Sequence, residues 1–243
     1  MGAFGKRQPR LDTIRGLALV NMIAYHACWD LAWIFGVDMP WYRGFGAHVW
    51  QQGICWTFIV LSGYCWSLGR RKLRRGLASF GGGALVTAVT FLLMPSNLVF
   101  CGVLTLLGAG TLLLILLEPL ARRIPARAGL AGCFCLFLLL RDVNSSWLGF
   151  EGVRVAEVPA WLYRDWLTAC LGFPPAGFFS TDYFSLLPWF FLFLTGYFLY
   201  RVRPEAGAGG RPVPVLTAMG RHSLLIYLLH QPVVYGVLYL LFC

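Results

Sequence analysis

Residues 98–117 read LVFCGVLTLLGAGTLLLILL, an unbroken stretch without a charged side chain. At 1.5 Å of rise per residue, about 20 residues make a helix roughly 30 Å long, the thickness of a bilayer's hydrocarbon core. The stretch reads as a membrane span. The same ruler gives seven expected spans: Ile14 to Gly36, His48 to Leu68, Gly76 to Met94, Leu98 to Leu117, Ala126 to Leu140, Tyr183 to Tyr200 and Ser223 to Cys243. Between the fifth and sixth, about forty residues carry Trp147, Trp161, Tyr163 and Trp166 beside Asp142, Glu151, Arg154, Glu157, Arg164 and Asp165. That mixture suits an interfacial or re-entrant lid. The expected fold is all-α, a polytopic transmembrane helix bundle of about seven spans plus this segment, forming a single domain over residues 1–243.

Composition agrees. The chain is 58% hydrophobic and 12% charged, about half the charge of a typical soluble protein. A mean hydropathy of +0.68 excludes a disordered chain. The net charge of +10 does not imply nucleic acid, because Lys and Arg fall in short clusters between apolar runs rather than on one continuous face. Membrane topology explains it. With the N-terminus inside, Lys6, Arg7, Arg10, Arg15, the cluster from Arg70 to Arg75, Arg122, Arg123, Arg127, Arg201, Arg203, Arg211 and Arg221 are all cytoplasmic, as the positive-inside rule requires. Arg43, Arg141, Arg154 and Arg164 fall on the other side, together with Asp38, Asp142, Glu151, Glu157, Asp165 and Asp182. The C-terminus is expected outside. The first apolar run follows basic residues but is too long for a cleaved signal and contains His26 and Asp30.

Small residues have structural readings first. Of the cysteines, Cys28, Cys55, Cys65, Cys101, Cys133 and Cys135 fall inside expected spans, without the spacing of a zinc site or disulfide framework, so they read as packing residues. Gly81, Gly82, Gly83, Gly102, Gly108 and Gly110 permit close approach of the third and fourth spans. The segment from Pro204 to Pro214 reads as a flexible linker.

Ionisable groups inside spans are costly, which makes each a functional candidate. The first helix is richest, with Asp12 and Arg15 at its cytoplasmic end, His26 beyond the middle and Asp30 further out. The eleven steps from Arg15 to His26 close three turns with about 20° to spare and rise about 16 Å, so the two share a face. Asp30 follows His26 by one turn on that stripe. A carboxylate beside an imidazole fixes its tautomer and favours the imidazolium, as a general base requires; a pair that only satisfies buried polarity has the same spacing. His48 starts the second span, where interface anchoring explains it equally well. His230 and Gln231 precede Pro232, which frees the Leu228 carbonyl and can kink the last helix around a cavity. Arg70, Arg71 and Arg74 suit the phosphates of a cytosolic cofactor, and attraction to anionic lipid headgroups predicts the same residues.

These residues also resemble a family. RLDTIRGLALVNMIAYH (10–26) is similar to the first-helix motif of acyltransferase-3 type membrane acyltransferases. FIVLSGYCWSLGRRKLRRG (58–76), GVLTLLG (102–108), STDYFSLLPWFFLFLTGYFLYR (180–201) and GRHSLLIYLLHQPV (220–233) resemble the related heparan-alpha-glucosaminide N-acetyltransferase catalytic-domain family. The resemblance covers most of the chain. It implies transfer of an acetyl group from cytosolic acetyl-CoA to the amine or hydroxyl of an extracytoplasmic sugar or glycolipid. It marks His26 as the catalytic imidazole with Arg15 as its partner, while the heparan family directs attention to a first-outer-loop His, for which His48 is the nearest counterpart.

The expected machine places the phosphates of acetyl-CoA near Arg15, Arg70, Arg71 and Arg74, and the thioester near His26, oriented by Asp30. Asp182 and Tyr183 are candidates for acceptor contacts at the outer mouth, with His230 and Gln231 alongside the path. No metal is required. Membrane lipids are expected partners, and a homo-oligomer is compatible with the pattern. The compact length gives a bacterial inner membrane as the expected setting. The alternative is a non-enzymatic permease or flippase component for a lipid or sugar, in which the same polar stripe is a binding path.

Overall fold

The computed structural model describes residues 8–204 and 211–242. Lys6, Arg7, most of the Gly/Pro linker and Cys243 lie outside them. The chain is 72% helical. It divides into two compact units, one of Lys6–Leu61 with Glu205–Cys243, the other chiefly of Ser62–Pro204.

In the first unit, helix α1 spans Pro9–Trp33. Proline at its start costs no hydrogen bond there, and Asp12 in the first turn complements the helix dipole. Helix α2 (Phe45–Trp66) follows a short turn, and its last turn belongs to the second unit. The unit is completed by α8 (Pro214–Arg221) and α9 (Ser223–Phe242). Helix α8 was not expected: its eight residues fell within the linker and the short stretch after it. It packs on α1 almost without side chains. A Cβ on Gly16 would lie 1.9 Å from the Leu216 carbonyl oxygen, and one on Gly220 would lie 1.9 Å from the Asp12 carbonyl oxygen. Glycine is required at both places, and Thr13 Oγ1 meets Thr217 Oγ1 at 2.8 Å between them. Further along α1, Leu19 and Met22 pack on Ile54 of α2, flanked by Tyr25, Trp50, Met219 and Ile226. That apolar layer leads directly to His26.

The second unit contains α3 (Lys72–Leu93), α4 (Val103–Ala121), α5 (Ala126–Leu139) and α7 (Leu186–Val202). Of the glycines expected to join α3 to α4, Gly83 and Gly108 do so: a Cβ on either would strike Thr105 or Phe80 at 2.4 Å. Gly81 faces open space. Phe137 of α5 and Leu192, Phe193 and Phe198 of α7 are fully buried and form the core. Arg201 closes one end of this unit, donating to the carbonyls of Ala121 (2.8 Å), Ile124 (3.1 Å) and Arg122 (3.3 Å). A guanidinium on the last carbonyls of a helix satisfies groups that have no partner within it.

The segment expected as an interfacial or re-entrant lid is folded on itself. It holds an antiparallel hairpin, β1 (Trp147–Phe150) with β2 (Val153–Glu157), and the six-residue α6 (Trp166–Leu171). The fold is therefore predominantly but not wholly helical. The Asp142 carboxylate sets the hairpin turn by accepting from the backbone N–H groups of Gly152 (2.7 Å) and Glu151 (3.1 Å). Asp165 caps α6, its side chain accepting from Thr168 N while Thr168 Oγ1 reaches back to Asp165 N.

Among the described residues, α3, α4 and α9 are long and apolar enough to cross a membrane, with α5 and α7 as shorter apolar helices. At 25 and 22 residues, α1 and α2 have the length of a span, but their polar content keeps them from the same class. The seven-span count thus has three long apolar helices behind it directly.

Candidate active site

Helices α1 and α9 bring together four of the residues singled out above. His26 and Asp30 stand one turn apart on α1; His230 and Gln231 are neighbours on α9. His230 Nδ1 lies 2.6 Å from the Tyr227 carbonyl oxygen. A carbonyl only accepts, so Nδ1 of His230 carries the proton, and in the neutral ring Nε2 is left with a lone pair. That Nε2 lies 3.0 Å from His26 Nδ1, which must be the donor. The second neighbour of His26 Nδ1 is Gln231 Oε1 at 3.2 Å, again an acceptor. Gln231 is oriented in turn, because its Nε2 donates to Asp30 Oδ1 at 2.6 Å.

The chain of bonds fixes the tautomer of His26. Its proton sits on Nδ1, shared between two acceptors, and its lone pair is on Nε2. Among the described residues Nε2 has no hydrogen-bond partner. Asp30, fully buried, acts on the ring through Gln231 rather than by direct contact, and its Oδ2 has no partner among the described residues. Tyr25 and Tyr227 frame the two rings, with centroids 6.3 Å from His26 and 5.4 Å from His230 respectively.

The other candidates are placed differently. His48 is half-buried in the first turn of α2 and takes no part in this chain of bonds. Arg15 Nη1 binds Asp12 Oδ1 at 3.1 Å, and Arg221 Nε approaches Asp12 Oδ2 at 3.8 Å, so the carboxylate is bracketed by two guanidiniums. Arg70, Arg71 and Arg74 are exposed around the start of α3, in the other unit. Their neighbour Lys72 is engaged, with Nζ 3.4 Å from the centre of the Trp66 ring and 3.8 Å from Glu118.

Asp182 and Tyr183 are held by the fold. Asp182 Oδ2 accepts from Val103 N at 3.3 Å, at the N-terminus of α4, where N–H groups are otherwise unsatisfied. The Tyr183 hydroxyl donates to the Ala169 carbonyl on α6 at 2.5 Å. The Tyr183 ring also lines an open cleft of about 630 Å³ with Asn144, Tyr163, Phe178 and Phe179. Sequence reasoning passed over this cleft, because its walls come from loops that only tertiary structure assembles.

Residues 7–232 match the family described as heparan-alpha-glucosaminide N-acetyltransferase, catalytic. The chain belongs to that family. The matched region takes in the whole chain of bonds from His26 to Gln231 and ends one residue beyond it. Membership of the heparan-alpha-glucosaminide N-acetyltransferase catalytic family gives the chain an acetyltransferase-type function, and with its apolar helices makes it a membrane protein. Neither the curated proteins nor the solved structures gave a match.

Proposed function

We propose that the chain is an integral membrane acetyltransferase that moves an acetyl group from cytosolic acetyl-CoA to an amine or hydroxyl of an extracytoplasmic sugar or glycolipid, with its N-terminus cytoplasmic and its C-terminus outside. One observation carries this reading: the His26 tautomer is fixed by two acceptors on Nδ1, leaving Nε2 as a lone pair in a helix that otherwise favours apolar groups. A fixed lone pair is what general-base or nucleophilic catalysis demands.

As a base, Nε2 takes the proton of the acceptor N–H or O–H while the acceptor atom attacks the thioester carbonyl. The carbon–sulfur bond breaks and the proton passes from Nε2 to the leaving thiolate. As a carrier, Nε2 itself attacks the carbonyl, thiolate leaves, and the acceptor then displaces the imidazole. In both routes positive charge develops on the ring. Gln231 Oε1, polarised by Asp30, faces the Nδ1 proton and stabilises that charge, and His230 Nε2 shares the proton.

The residues present fit an anionic donor. Arg70, Arg71 and Arg74 are exposed around the N-terminus of α3, where backbone N–H groups add to the attraction for phosphate. Arg15 lies about 16 Å along α1 from His26, on the same face. The open cleft beside Tyr183, walled by aromatic rings with Asn144, suits a sugar acceptor. Asp182 is read as scaffold for α4 rather than as an acceptor contact.

The test incubates purified protein with acetyl-CoA and a panel of amino sugars and polyols, and follows free thiol. Release that falls by about 10²–10⁴-fold in a folded His26→Ala variant supports the reading. Binding of the same compounds to the wild type without any thiol release refutes it and favours a transport component.

A further inference from the structure

Cys101 was expected inside the fourth span, yet α4 begins at Val103, so Cys101 lies in the connection that precedes it. There its backbone is left-handed, with φ at 52°, a conformation uncommon for a residue with a side chain. The position is held by neighbours: Phe184 N donates to the Cys101 carbonyl at 2.8 Å, Thr181 N to the Leu98 carbonyl at 2.9 Å, and Ser180 Oγ to the Phe100 carbonyl at 3.0 Å. Next to Cys101, the Phe100 ring packs against Trp166 of α6 with centroids 5.0 Å apart. Cys170, on the same short helix, is half-buried. Both thiols are free, and consecutive residues brace the two positions together: Phe184 N donates to the Cys101 carbonyl, while the Tyr183 hydroxyl donates to the carbonyl of Ala169, next to Cys170.

We propose that Cys101 and Cys170 are a disulfide-forming pair that fastens α6 to the base of α4. The two side chains come from positions 69 residues apart, brought into one neighbourhood by the Phe100–Trp166 contact and by the bonds from Tyr183 and Phe184. Both connections lie opposite the Arg-rich loops, on the side that the positive-inside rule assigns to the exterior, where thiols meet an oxidising compartment. Backbone bonds between 98–101 and 181–184 put both connections at one end of the unit, as that assignment needs. Cys170 is the more exposed of the two, and its thiol is lowered by the interaction with Cys101.

The oxidant is a disulfide, carried by a protein dithiol–disulfide exchanger or by glutathione. The Cys170 thiolate attacks one of its sulfurs, forming a mixed disulfide and releasing one thiolate. The Cys101 thiolate then attacks Sγ of Cys170, forming the Sγ–Sγ bond and releasing the second. Two cysteine thiols are oxidised, one disulfide is reduced, and the two cysteine protons end on the released thiols.

The experiment uses the full chain in its membrane. Cells are lysed into N-ethylmaleimide to block free thiols, the protein is purified and digested without reductant, and peptides are read by mass spectrometry. The expected result is a linked peptide pair joining Cys101 to Cys170, two hydrogens lighter than the sum of its parts and absent after reduction. In Cys170→Ser, Cys101 takes up the label without reductant, whereas Cys135→Ser keeps the link. Quantitative labelling of both Cys101 and Cys170 in the wild type overturns the proposal, as does a link from either to a different cysteine. The wild-type digest decides the matter even if a variant fails to fold.

Discussion

Replacing Gln231 with leucine removes the only partner that the buried Asp30 carboxyl has among the described residues. Asp30 is 0% exposed, and its Oδ2 is already without a hydrogen bond. Losing the 2.6 Å bond from Gln231 Nε2 therefore strands the whole group. A buried polar group left unpaired costs about 1–3 kcal/mol, and a buried charge robbed of its partner about 3–5 kcal/mol. We expect a loss of about 3 kcal/mol, a fall in Tm of roughly 6–12 °C for a chain of this length. Asp30→Val alone strands only the neutral Gln231 amide and costs about 1–2 kcal/mol. The informative case is the double variant. With both partners apolar nothing remains unpaired, so Asp30→Val with Gln231→Leu recovers most of the loss seen in Gln231→Leu. The assay is thermal unfolding in detergent of all four proteins, with thiol release measured in parallel. Rates behave differently, because the two residues act on His26 as a unit: each single variant slows transfer, and the double is no slower than the worse single. A double variant whose destabilisation equals the sum of the singles refutes the reasoning.

Gly16→Val forces two γ-methyls into a gap that lacks room for a Cβ, and should lower stability by at least 1–3 kcal/mol. Gly46→Ala, with open space around it in α2, should leave Tm unchanged or slightly raised; equal effects at both positions would refute the close approach of α1 and α8. Asp182→Ala should cost about 1 kcal/mol through the lost cap on α4 and leave KM for the acceptor unchanged; a raised KM with unaltered Tm would make it a substrate contact. Backbone bonds from Thr168 hold the Asp165 carboxyl below its ordinary value of 3.8. Its contribution is complete above that value and lost as pH falls through the depressed folded value, so Trp166 fluorescence should report loosening of α6 only under strongly acidic conditions. In Asp165→Ala the loosened signal should be present at neutral pH, and wild-type fluorescence there would count against the cap.

Much of the helical framework is legible in the sequence because apolar length is a local property. The expected span from Ala126 to Leu140 is α5 to within one residue, and the last span matches α9 equally well. The segment between α5 and α7 is not legible. Its hairpin depends on Asp142 reaching across nine and ten positions to two backbone N–H groups, which no periodicity records. Helix α8 is missed for a related reason: at eight residues it is too short to register as a span, and its partner is a strip of backbone on α1. At the site, the spacing on α1 places His26, Asp30 and Arg15 on one stripe. It does not show that Asp30 reaches the ring through Gln231, or that His230, 204 positions away, meets it directly. Those bonds belong to the packing of two helices and not to either one.

The glycine-to-carbonyl seating of α8 on α1 has a mechanical consequence. Side chains between helices act as a compressible pad that lets one slide past another, and here the pad is missing at both ends of the contact. Displacing α1 along its axis would drive peptide planes into each other, so α1 and α8 travel together as one splinted lever. A tilt of the short arm at Pro214–Arg221 would therefore carry α1 with it, and with α1 the imidazole about three turns further along.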